Sequence, residues 1–235
     1  MSYPLYIVFG VLPSIIWLVL YLRKDLHPES KRMILKIFFW GMLIAIPAVF
    51  IEMGIFEAFG EFHLAQNLTS ILNIFIGVAF IEEFLKFLVV KGQVLRHSEF
   101  DEPTDAMIYM IVAALGFAAI ENILILFQLG PAFLWDKTLE ISIFRFLGAT
   151  FLHVLTSGLV GYFIALAINR EQKKWSLIIA GLGISTLLHG LYNFSIMKTD
   201  GNLKLLIPVA LLSLLAVFIS YGFKRLKKIK SVCKI

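Results

Sequence analysis

Three glutamates and two histidines stand inside stretches of sequence that are otherwise almost wholly apolar. Glu82 and Glu83 fall in NIFIGVAFIEEFLKFLVV, Glu121 in MIYMIVAALGFAAIENILILF, His153 in ATFLHVLTSG and His189 in LGISTLLHGLYNF. A carboxylate held near another carboxylate and drawn out of water becomes a competent general base near neutral pH. Such a base could take a proton from a water that attacks a carbonyl. His153, His189 and Asn193 could then donate to the developing oxyanion. The same residue types also ligate divalent metals, since imidazole nitrogen and carboxylate oxygen both suit zinc. Other routes are closed by what the chain lacks: no G-x-S-x-G serine, no H-E-x-x-H pair, and no cysteine except Cys233.

Spacing sharpens this. Glu82 and Lys86 are four residues apart and share a helix face, as do Phe117 and Glu121, and His189 and Asn193. Thr156 and Ser157 follow His153 by one turn. Glu82 and Glu83 are adjacent, so they point about 100° apart on a helix. One of the two can centre a site while a partner, with Lys86 the local candidate, orients the other.

Each of these residues also has a plainer reading. Lys86 can snorkel its ammonium to an interface. Arg145 reads as an outer-interface anchor, and Glu52 as a structural residue near the outer end of its helix. His153 and Asn193 can each serve as hydrogen-bonded packing between helices. The glutamates resist such readings, because a carboxylate inside a membrane is costly and marks function by default. Polar positions on four successive helices therefore predict one shared pocket.

The elements that must position these groups follow from composition. The chain has 235 residues, 60% hydrophobic and only 16% charged, against about 45–50% and about 25% for a soluble domain. Its mean hydropathy is +0.89. The bilayer must be its solvent. Seven apolar runs, roughly 4–22, 33–56, 69–91, 104–128, 141–169, 174–196 and 203–223, are long enough to cross. The first shows no cleavage pattern and reads as a retained helix. No internal repeat or soluble segment interrupts the series. The expected fold is all-α, a polytopic transmembrane bundle of about seven or eight helices, with residues 1–235 forming one domain.

The net charge of +5 is no nucleic-acid signal, because lysines and arginines lie in short blocks between the runs. Arg23, Lys24, Lys31, Arg32, Lys91, Arg96, Arg170, Lys173 and Lys174 fall in the first, third and fifth connections. Lys224, Arg225, Lys227, Lys228, Lys230 and Lys234 fill the C-terminal tail, while the other connections hold only Lys137, Lys198 and Lys204. That bias predicts the N-terminus outside and the C-terminus in the cytosol, with the tail anchored on an anionic leaflet. At about 1.5 Å per residue, Glu121 and His189 then lie roughly 20–25 Å from the cytosolic ends of their helices. Glu82 comes out about 5–10 Å nearer the cytosol by the same rule.

EEFLK at 82–86, GFAAIEN at 116–122, His153 and HGLYN at 189–193 resemble the motifs of the PrsW family of intramembrane proteases. That family belongs to a wider group with the CAAX-prenyl proteases and bacteriocin-processing enzymes. The motif from Phe117 ends in Glu121, as in the PrsW branch, where the CAAX branch usually has histidine. The segments YLRKDLHPESKR and FFWGMLIAIPAVFIE look like that branch as well. The resemblance implies a site-1 protease of a bacterial plasma membrane. Its substrate would be a single-pass anti-sigma factor, cut on the extracytoplasmic side within a stress response. It maps Glu82 and Glu83 to the paired glutamates, Glu121 to the second motif, and His153, His189 and Asn193 to the later ones. It leaves open whether zinc or another divalent metal takes part, with Glu121, His153 and His189 as candidate ligands.

Two other functions suit the residue types alone. A proton- or ion-coupled transporter uses similar chains of groups, although the repeats that many transporters carry are missing. A non-catalytic membrane scaffold could keep the pocket for packing or ligand binding.

Overall fold

The computed structural model describes residues 3–24, 27–130, 134–168 and 170–229; Cys233, Lys230 and Lys234 lie outside them. Among the described residues the fold is a helical bundle without strands. It comprises α1 (Tyr3–Leu22), α2 (Lys31–Glu61), α3 (Gln66–Leu72), α4 (Ile81–Gln93), α5 (Pro103–Phe127), α6 (Trp135–Leu147), α7 (Ala149–Ile168), α8 (Lys174–Lys198) and α9 (Leu203–Leu226). A π-helical stretch, Asn73–Phe80, joins α3 to α4 without a break. Six helical segments are long and apolar enough to cross a membrane, α6 and α7 counting as one. The unbroken helix 66–93 accounts for the remaining apolar run.

α5 is the central post. Pro103 opens it, and Glu102 and Asp105 close a reciprocal capping box. This satisfies N–H groups that the first turn cannot pair internally. Nearly every side chain from Pro103 to Ala119 is buried, so α5 meets protein on all sides, with α1, α2 and α7 around it. Small residues make that possible. A Cβ on Gly116 would lie 2.0 Å from the Phe38 carbonyl oxygen of α2, and one on Gly161 2.5 Å from the Ala106 oxygen of α5. By contrast, α1, α2 and α9 turn leucines, isoleucines and phenylalanines outward, the pattern of a lipid-facing surface.

Two boundaries differ from the hydropathy reading. The fifth run starts at Trp135, not 141, and breaks at Gly148 into α6 and α7. Trp17 clamps the break: its Nε1 donates to the Phe146 carbonyl at 2.9 Å, and its ring stacks on Phe151 at 4.3 Å. The third helix is longer at both ends and π-helical in its middle, where i to i+5 bonding widens each turn. On that stretch Gly77 lies under the Phe56 ring of α2, 2.7 Å from where a Cβ would stand. The offset expected for Glu82 along its helix does not part it from the other polar groups: its carboxylate comes within 3.6 Å of His153 and 3.9 Å of His189.

Candidate active site

The first turn of α4, the C-terminal half of α5, the start of α7 and the C-terminal half of α8 converge. Glu83 is the hub. Its Oε1 accepts from Lys86 Nζ at 3.0 Å, Thr156 Oγ1 at 3.0 Å and His189 Nδ1 at 3.0 Å. Its Oε2 accepts from Ser157 Oγ at 2.9 Å. Glu83 and Lys86 are fully buried, and a buried charge persists only when paired and hydrogen-bonded. Four donors on one carboxylate meet that condition.

Glu82 is placed differently. Its Oε2 lies 3.2 Å from Lys86 Nζ, 3.6 Å from His153 Nδ1 and 3.9 Å from His189 Nε2. It therefore faces both imidazoles without a direct hydrogen bond to either. Lys86 Nζ also meets His153 Nδ1 at 2.8 Å and sits 4.6 Å above the Phe117 ring. Lys86 is thus no snorkelling residue.

These partners assign the tautomers. An ammonium only donates, so His153 Nδ1 accepts from Lys86, and His153 Nε2 carries the proton given to Glu121 Oε2 at 2.7 Å. A carboxylate only accepts, so His189 donates from Nδ1 to Glu83 and keeps the Nε2 lone pair. The two rings hold opposite tautomers and stand edge to face, with centroids 5.1 Å apart.

Arg145, expected as an interface anchor, instead turns into the cluster. Its Nη2 lies 3.0 Å from Glu121 Oε2, and its Nε donates to Asn122 Oδ1. Asn122 Nδ2 in turn donates to the Gly10 carbonyl at 3.1 Å and to Thr150 Oγ1 at 3.2 Å. The sequence offered one signal for this role: a lone arginine within an apolar run.

A cavity of about 560 Å³ opens beside the cluster. Glu121, His153, His189 and Asn193 line it together with Arg145 and Tyr192, and its outer walls are apolar residues of α6, α8 and α9. Of the six site residues expected from sequence, five thus form one connected network, and Asn193 borders the cavity next to it. Glu52 is half-buried on α2, within electrostatic range of Glu121 and Lys86.

The sequence pattern described as PrsW family intramembrane metalloprotease matches residues 29–221. The chain belongs to the PrsW family. Protease PrsW of Oceanobacillus iheyensis is 32% identical over 218 residues, covering 92% of this chain and 93% of the relative. Protease PrsW of Geobacillus kaustophilus is 31% identical over 194 residues, covering 81% and 79%. That of Bacillus subtilis is 28% identical over 231 residues, covering 95% and 94%. No solved structure matches the chain. The PrsW-family protein is a multi-pass membrane peptidase.

The family description implies a metal, and the donor set fits one. Glu82, His153 and His189 each offer a ligand atom, all within 4.8 Å of one another. Each histidine backs its other ring nitrogen against a carboxylate, His153 on Glu121 and His189 on Glu83. Such outer carboxylates fix the tautomer of metal-binding imidazoles. Glu121, expected among the ligands, stands in that outer position, and Glu82 takes the inner one. Lys86 Nζ lies against two of the three ligands, so its ammonium must withdraw where a metal enters.

Proposed function

We propose that the protein hydrolyses a peptide bond in a single-pass membrane protein, such as an anti-sigma factor, with Glu82 as general base and residues 1–235 acting as one unit. The observation that carries this is the contrast between the two glutamates. Both oxygens of Glu83 are taken by donors. Glu82 reaches Lys86 alone through a hydrogen bond while facing both histidines. Glu83 orients and Glu82 reacts.

In this reading Glu82 accepts a proton from water as the oxygen adds to the scissile carbonyl, then returns it to the leaving amine. The His189 Nε2 lone pair holds the water. Asn193 donates to the oxyanion from the cavity wall. Glu121 fixes His153. A divalent metal, where bound, would be held by Glu82, His153 and His189 and would supply Lewis-acid chemistry in place of the base and water-holding roles of Glu82 and His189.

Geometry favours lateral entry of substrate between α6 and α9, because the cavity runs from their apolar rims to His153 and His189. Cavity residues come from the ends of α5, α6 and α8 and the starts of α7 and α9. With the N-terminus outside, as the lysine and arginine bias favours, the ends of α5 and α8 and the start of α9 face outward, and the α6–α7 break lies within its span. A cut on the extracytoplasmic side of the plasma membrane follows.

The test is reconstitution in liposomes with a panel of single-pass membrane proteins. The wild type cleaves one of them, while Glu82→Gln and His189→Ala do not. Cleavage by Glu82→Gln at the wild-type rate sinks the assignment. Loss of activity on chelation, restored by zinc, adds the metal.

A further inference from the structure

Among the described residues Arg145 is the cation that closes the cluster on its cavity side, and it lies outside every motif that marks the site in the sequence. Its guanidinium is held at two points. Asn122 takes Nε and is itself pinned to α1 at the Gly10 carbonyl and to α7 at Thr150. Glu121 lies 3.0 Å from Nη2. Nη2 has no well-aligned acceptor, so this contact is one of charge rather than an on-axis hydrogen bond. The same Glu121 oxygen takes the His153 Nε2 proton. One carboxylate oxygen thus stands between a fixed positive charge and an imidazole N–H.

We propose that Arg145 is a positioning residue: it holds Glu121 in place, so that Glu121 fixes the His153 ring with Nε2–H bound to it and Nδ1 turned toward Glu82. Without the guanidinium, Glu121 loses the group that braces it from the cavity side and keeps its hydrogen bond from His153. If Glu121 swings away, His153 Nε2–H loses its acceptor and Lys86 at Nδ1 is left to hold the ring. Arg145 acts through two residues and needs no contact with substrate. The inference deepens the protease reading and rests on it for its kinetic arm only.

The experiment uses full-length protein labelled with ¹⁵N-histidine in detergent micelles, as wild type, Arg145→Gln and Arg145→Lys. The ring ¹⁵N signals of His153, assigned through His153→Gln, shift in Arg145→Gln while those of His189 stay put. Arg145→Lys, which keeps the charge but loses the fork toward Asn122, gives an intermediate shift. In the cleavage assay Arg145→Gln lowers kcat about 10- to 100-fold, the usual cost of losing an outer-shell partner, and KM changes less than about threefold.

Unchanged His153 signals in Arg145→Gln overturn the proposal. So does a retained kcat, or an effect confined to KM, which would make Arg145 a substrate contact. The unmoved His189 signals report that the variant is folded. If the wild type cleaves nothing while the His153 signals still move, the protease reading fails and the positioning role stands.

Discussion

Lys86 Nζ lies 2.8 Å from His153 Nδ1 and is fully buried, so the ring nitrogen that faces Glu82 is already satisfied by a protein cation. The same ammonium neutralises Glu83 from one turn away. Lys86 therefore does two things that a substitution can separate.

Lys86→Met strips Glu83 of its countercharge while Thr156, Ser157 and His189 remain. Breaking a buried pair by removing one partner costs about 3–5 kcal/mol. A lowered midpoint of thermal unfolding in detergent is the expected result. The substitution also frees His153 Nδ1 and Glu82, so the variant binds cobalt(II) more tightly than the wild type by optical titration. Unchanged cobalt affinity would separate Lys86 from the metal position.

Glu82→Gln and Glu83→Gln part company. A neutral amide at 82 leaves packing intact and removes the proposed base, so cleavage falls by about 10²–10⁴-fold with little change in unfolding temperature. An amide at 83 places an NH₂ group against donors, so both activity and thermal stability drop. Kinetics and scanning calorimetry on the same preparations distinguish the two.

Thr156→Val and Ser157→Ala each remove one donor from Glu83. Hydrogen bonds to charged groups contribute about 1.5–3 kcal/mol. Each variant lowers stability by that order, and the pair departs from additivity because they share one acceptor. A double-mutant cycle in unfolding free energy measures the coupling.

Gly148→Ala tests the cavity. The added Cβ would stand 2.3 Å from the Tyr192 hydroxyl and 2.8 Å from the Phe144 carbonyl oxygen. Tyr192 must shift into the cavity it lines. Raised KM with a smaller change in kcat is the expected signature. An unaltered KM would take the substrate path away from this wall.

The polar side chains of the cluster are legible in the sequence because lipid tolerates so few. Glu82, Glu83, Glu121, His153 and His189 are read from the chemistry of ionisable groups in apolar runs. Their pairing was not legible. Which nitrogen of His153 meets Lys86 depends on how α4 and α7 lie against each other, and no spacing along one helix states that. Arg145 was misread for the same reason: a lone cation near the end of a run fits an interface equally well until α5 is seen beside it. The α6–α7 break escaped because the residues around Gly148 are as apolar as a continuous helix. The expected metal ligands included Glu121 where geometry offers Glu82, since rank within a motif does not reveal which carboxylate stands inside and which behind.

At 31 residues α2 is the longest helix described, and at about 1.5 Å per residue its length exceeds a hydrocarbon layer of roughly 30 Å by about half. It must lean, or stand proud of the lipid, and its angle is set by the helices packed against it. Phe56, near its C-terminal end, rests on Gly77 in the π-helical turns that lead into Glu82. The C-terminal end of α2 thus bears directly on the stretch that carries Glu82 into the cluster.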